Sequence, residues 1–406
     1  MSQSPAATAH GTDTFEVLDR ALASQGAPVV LDLLVKHLDE KGEYRALLDA
    51  LLLKARHELG LPLVQVGGLN DVPEPIRSQY EERYVAAIRE IGRKFIASGD
   101  LGSAWPYFRA IGEPEAVAKA LEAYEPTEGD ERLGGVIEVA FNQGANPRKG
   151  FELILKHYGS CSAITAFEHL PREGATRSSC ADALVRQIHE HLATNLRAEI
   201  THRGEPEPPA DTPIADLIAG RDWLFEDEAY HIDVSHLAST VRVAPLLSDP
   251  ATLALASGLT DYGRKLSGRH TFEGDPPFEK VYDDHGIYLQ ALLGLDVDGA
   301  VAHFKAKLAA PGGVDDPEGP DPVPAQVLVG LLDRLGRLDE AIEVAAAHLA
   351  GFPESALFCP GVAQLCQRAG RPERLAEVAR EHEDLVQYTA AILQAGTRTT
   401  QPPGSG

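Results

Sequence analysis

The sequence predicts an all-α protein built from antiparallel helical hairpins, and three observations carry the prediction. Apolar residues return every three or four positions in most segments outside the Pro- and Gly-rich stretches, as in "VVLDLLVKHL", "YVAAIREIGRKFI", "ALVRQIHEHLATNL" and "VLVGLLDRL", which is the spacing that lines one face of a helix. Alternating β-type runs are nearly absent; "LPLVQVGGL" at Leu61–Leu69 is the one short candidate, and its Gly pair reads better as a loop. Gly-centred turns separate the helical stretches, and two of them recur at a fixed interval.

Taken in order, residues 1–13 have the small, polar composition of a disordered end. Residues 14–135 read as helical hairpins. Leu31, Leu34, Leu38, Leu47 and Leu51 flank a turn at Gly42, and Ile88, Ile91, Gly92 and Phe95 precede one at Gly99, followed by "GDLGSAWPYF" with small Ala104 and large Phe108. Through 136–308 the helical period persists while the hairpin pattern fades. Residues 309–324, "AAPGGVDDPEGPDPVP", are rich in Pro, Gly and acid and predict an exposed linker, as does "HRGEPEPPADTP" at His202–Pro213. Residues 325–395 return to hairpins: "RLGRLDEA" at Arg334–Ala341 is echoed by "RAGRPERL" at Arg368–Leu375, with Gly336 and Gly370 34 positions apart. Residues 396–406 predict a disordered tail.

The 34-residue interval, with Leu328 and Leu332 before the turn, Ala341 where two helices cross and Pro353 at the repeat's end, resembles the tetratricopeptide repeat (TPR). The stretch around Gly99 resembles it too. The repeat from Gly370 departs from the pattern, with Leu375 where a small residue is usual and Gln387 where Pro353 has its counterpart, as a terminal, capping repeat would. The resemblance covers about a third to a half of the chain. It implies a TPR-like α-solenoid with an irregular, His-rich helical central region, whose concave surface holds a protein or peptide partner.

Composition removes several function classes. Lys and Arg total 37 against 61 Asp and Glu, a formal charge of -24, with no basic run. Nucleic acid and anionic membranes are bound by clustered Lys and Arg, so neither is an expected partner. The four cysteines, Cys161, Cys180, Cys359 and Cys366, show no CxxC spacing and read as free thiols. With no signal-peptide pattern and no uninterrupted apolar stretch of membrane-spanning length, the expected location is cytoplasmic. P-loop, Rossmann, HExxH, GxSxG and CxxC signatures are all missing.

The chemistry-bearing residues gather in the middle, where nine of the fifteen histidines fall between Asn142 and Gly294. In "DEAYHIDVSHLASTV", His231 and Asp233 lie two apart in a predicted extended segment, and His236 is one helical step beyond. With a distant His285 they would form a His/carboxylate set suited to Zn or Fe(II), with Asp284 orienting His285 and Tyr230, Tyr282 and Tyr288 supplying protons or holding a ligand. The same letters also read as a helix start, Asp233 or Ser235 being the N-cap of "HLASTVRVAPLL". His285 falls on the inward face of its helix, between Tyr282 and Leu289, where a hydrogen bond to a carbonyl or a tyrosine is the alternative to a metal. His191 shares a polar ridge with Gln187 and Asn195 beside the stripe Leu184, Ile188, Leu192 and Leu196, and Cys161, Thr165 and Glu168 share another face, with His157 one turn earlier. Two functional readings follow: a helical-repeat binding or scaffold protein, or a metal-dependent enzyme acting on a small-molecule substrate at the central His/Asp site.

Overall fold

The computed structural model describes residues 13–64, 72–171, 174–308 and 321–399. Most of the N-terminal stretch 1–13, of the linker 309–324, of the last residues and of "LPLVQVGGL" lies outside them. The fold is all-α: among the described residues there is no strand, only an isolated antiparallel bridge between Glu273 and Lys280. No described helix is long and apolar enough to cross a membrane. The chain divides into two compact units, Met1–Leu153 and Ile154–Gly406.

The first unit contains α1 (Thr14–Gln25), α2 (Ala27–Glu40), α3 (Tyr44–Glu58), α4 (Ile76–Ala97), α5 (Leu101–Ala110), α6 (Glu115–Glu122), α7 (Leu133–Ile137) and the start of α8 (Pro147–Glu168). From α1 to α6, each helix packs on the next. The α4–α5 contact shows why small residues stand where they do. Gly92 faces the Phe108 ring so closely that a Cβ there would lie 2.6 Å from Phe108 Cε2, and Ala104 is fully buried. Two helices this close cannot tolerate a larger side chain at the crossing.

The second unit continues with α9 (Ala175–His202), α10 (Ile214–Ile218), α11 (Val234–Val243), α12 (Pro250–Gly263), α13 (Val281–Leu292), α14 (Val297–Leu308), α15 (Val323–Arg334), α16 (Leu338–His348), α17 (Val362–Ala369), α18 (Pro372–Glu381) and α19 (Leu385–Thr399). The 28-residue α9 buries Leu184, Ile188, Leu192 and Leu196, one side chain per turn, against α10, α11 and α12. From α13 onward a single apolar core runs from Tyr288 through Phe304, Leu328, Ala341 and Leu365 to Ala391. The expected linker 309–324 therefore joins two parts of one core.

Four of the predicted turns share one geometry. Gly42, Gly99, Gly336 and Gly370 have φ of 70, 79, 72 and 68°, the left-handed region that costs a side chain about 1–2 kcal/mol. Their successors Glu43, Asp100, Arg337 and Arg371 have ψ between 57 and 75°. Each successor donates its N–H to the carbonyl five residues back, on Leu38, Phe95, Leu332 and Cys366. The same turn thus recurs in both units, and Asp100 adds a side-chain cap to Ser103 N at 2.9 Å.

Alternate helices of the second unit also meet. Ion pairs link α16 or its N-cap to α14 through Arg337–Asp298 at 2.6 Å and Lys305–Glu340 at 2.6 Å. On the other side, Arg371–Asp339 at 3.0 Å and Arg374–Glu343 at 2.8 Å link it to α18 or its N-cap. Arg368–Asp333 at 2.7 Å ties α17 to α15. Each exposed pair is worth little by itself; together they mark α14, α16 and α18 as neighbours.

The tight crossing gives a stability prediction. Gly92→Ala gains helix propensity yet forces the buried Phe108 ring aside, so a net loss of about 1–2 kcal/mol is expected. Urea unfolding of the first unit, followed by Trp105 fluorescence in a Trp223→Phe background, measures it. An unchanged or raised midpoint would show that the crossing yields without cost.

Candidate functional site: a cleft beside His231

The central residues do not form the predicted His/Asp ligand set. Asp233 is the N-cap of α11: its Oδ1 accepts from Ser235 N at 2.8 Å, Ser235 Oγ at 2.5 Å and His236 N at 3.2 Å, satisfying the free amides of the first turn. His285 is a core residue, 3% exposed, stacked on Phe278 at 4.0 Å between ring centroids. Its Nδ1 donates to the Val281 carbonyl at 2.7 Å, and burial pushes its pKa down to about 4. Asp284 does not orient it. That carboxylate, 1% exposed, accepts from Lys280 N at 2.8 Å, His303 Nε2 at 2.8 Å and Lys307 Nζ at 2.9 Å, pinning the start of α13 to α14. Among the described residues no group of three or more His, Cys, Asp or Glu side chains is placed to hold a metal ion, so the ligand set expected for Zn or Fe(II) is not assembled.

The tyrosines divide as well. Tyr288 and Tyr282 are buried and burial raises both pKa values, that of Tyr282 to about 12. Phenols held protonated in a core do not serve as proton donors to a bound substrate. The Tyr282 hydroxyl has no hydrogen-bond partner among the described residues. Tyr230 is the opposite case, 54% exposed, with its ring set against His270 at 5.0 Å. At the kink of α8, where Gly159 has φ 82°, Cys161 is an exposed free thiol whose carbonyl accepts from Thr165 Oγ1 at 3.2 Å.

Tyr230, His231 and Asp233 do come together in a cleft of about 680 Å³, between the end of α9 and the loop that enters α11. Asn195, Ala198, Glu199 and His202 form its α9 wall, at the spacing that puts them on one face of the helix. The predicted polar ridge resolves into two contacts: Gln187 Nε2 meets His191 Nε2 at 2.6 Å, and Asn195 Nδ2 donates to the His231 carbonyl at 2.7 Å.

Tyr262 of α12, fully buried, holds the loop from below. Its Oη accepts from His231 N at 2.8 Å and lies 3.1 Å from His231 Nδ1. A buried hydroxyl whose proton finds no acceptor loses the whole of that group's hydration. Nδ1 is the acceptor within reach, so Oη–H donates to it and the ring proton sits on Nε2. Burial raises the Tyr262 pKa to about 12 and lowers that of His231, with Glu199 opposing the latter shift. Both groups stay neutral near pH 7, and His231 offers a donor on the side away from Tyr262. A general base there would need a free lone pair on that side; this arrangement suits holding a ligand's acceptor atom.

Sequence reasoning passed over Glu199, Tyr262 and His303. Glu199 follows Asn195 by one helical turn, so the polar ridge already extended to it; Tyr262, in the apolar stretch "LALASGLTDYG", carried no such signal. No protein-family model, no curated protein and no solved structure matches this chain.

Two outcomes test this geometry. Tyr262→Phe leaves His231 N without its acceptor and frees Nδ1, so a loss of about 1–3 kcal/mol is expected, together with a ring that samples both tautomers in ¹⁵N-histidine NMR; a His231 signal still locked with Nε2 protonated would refute the assignment. For His285, the unfolded state takes up a proton below about pH 6.5 while the folded state resists until about 4, so stability falls as pH drops through that window, by about 3 kcal/mol from this residue. His285→Gln should flatten the fall in urea midpoints measured between pH 7 and pH 4.

Proposed function

We propose that this chain is a TPR-like helical-repeat protein of the cytoplasm that binds a protein or peptide partner on its stacked hairpins. The observation that carries the reading is the side-by-side run of α14, α16 and α18, the last two entered through turns of one geometry. Hairpins arranged in that way contact mainly their neighbours and leave an extended face open to a partner. The 34-residue interval between Gly336 and Gly370 and the small residues Ala341 and Gly92 at crossings support it further. The commitments of Asp233 to a helix cap, His285 to a carbonyl, Asp284 to His303 and Lys307, and Tyr262 to His231 weigh for binding over chemistry.

Panning a random-peptide display library against the full chain tests this reading. A recurrent motif is expected, with micromolar affinity when synthesised and measured by calorimetry, and with hydrogen-exchange protection confined to helices of one unit. Recovery of no motif above an unrelated helical control would overturn it.

A further inference from the structure

We propose that the cleft beside His231 is a subsite for a lysine or arginine side chain carried by a peptide. The inference rests on the binding reading above and names what one subsite takes. The lining holds two carboxylates, Glu199 and Asp233, and no Lys or Arg. Asp233 spends Oδ1 on the α11 cap, which leaves Oδ2 to the cleft, and its hydrogen bond from Ser235 keeps the carboxyl ionised well below neutral pH. Glu199 accepts from Arg203 Nε at 3.3 Å through Oε1, while the Arg203 guanidinium lies over the Trp223 ring at 4.9 Å, which leaves Oε2.

Charge alone does not define the subsite. Tyr230 presents a ring that is 54% exposed yet steadied by His270, and a fixed aromatic face beside a carboxylate attracts a cation. Ala198 and Ile232 supply apolar lining for the methylene stem that lysine and arginine both carry. His231, neutral and protonated on Nε2, adds a donor that a main-chain carbonyl of the peptide can satisfy, and no competing positive charge. An anionic ligand would meet two carboxylates, and the nearby cation, Arg203, is already paired with Glu199 Oε1. The chain's formal charge of -24 draws basic peptides toward it from a distance.

The test uses the full chain and three small probes: the N-acetyl, N-methylamide derivatives of lysine, arginine and norleucine. Titration into ¹⁵N-histidine-labelled protein should shift the His231 resonance saturably with the lysine or arginine probe and not with norleucine. Added salt should weaken the effect. Glu199→Gln and Tyr230→Ala should each lower affinity about fivefold or more, whereas Tyr230→Phe should retain it, all with unfolding midpoints near that of the parent. An equal response to norleucine, or unchanged affinity in Glu199→Gln, overturns the proposal. If library peptides bind but the basic probes leave His231 unmoved, the subsite is wrong and the partner reading stands; if the probes bind and no library peptide does, the partner reading is the one that fails.

Discussion

One buried hydroxyl holds the centre of the second unit together. Tyr262 Oη takes the His231 backbone N–H and gives its proton to the same residue's ring, so a single atom fixes both the course of the loop before α11 and the tautomer that the loop displays. Everything that lines the cleft from that side follows. Asn195 secures the carbonyl of His231 from α9, Asp233 caps α11, and Tyr230 is left exposed against His270. Because Tyr262 has no exposure to water, loss of its two hydrogen bonds would leave its hydroxyl unpaired in the core.

The all-helical class and the hairpin turns were legible because they depend on local rules. Gly42, Gly99, Gly336 and Gly370 stand where a helix must stop in a left-handed residue, and that requirement shows in the letters themselves. The N-cap reading of Asp233 was legible for the same reason. So was the inward position of His285, since helical period places a residue on a face without knowledge of what lies opposite.

What lay opposite was not legible. The metal reading joined His231, Asp233, His236 and His285 by kind of residue, while the fold sends Asp233 to backbone amides and His285 to a carbonyl four residues away. Asp284 finds His303 and Lys307, residues 19 and 23 positions on, and Tyr262 reaches the His231 loop from 31 positions away. Such pairings are set by how α12, α13 and α14 pack, and no spacing in the sequence encodes them. Glu199 is the intermediate case: its helix face was predictable, its place beside Tyr230 was not.

The continuous core from Tyr288 to Ala391 bears on how the chain gains and loses structure. Phe304 on α14 and Leu328 and Leu332 on α15 belong to the same apolar cluster, although the expected linker lies between them in the sequence. Cooperative units follow shared burial and not chain continuity, and α14, with the Tyr288 end of α13, shares its burial with the C-terminal hairpins. The same cluster backs His285 through Phe278 and Tyr288, so this central residue shares its apolar surroundings with a core that reaches Ala391, more than a hundred positions downstream.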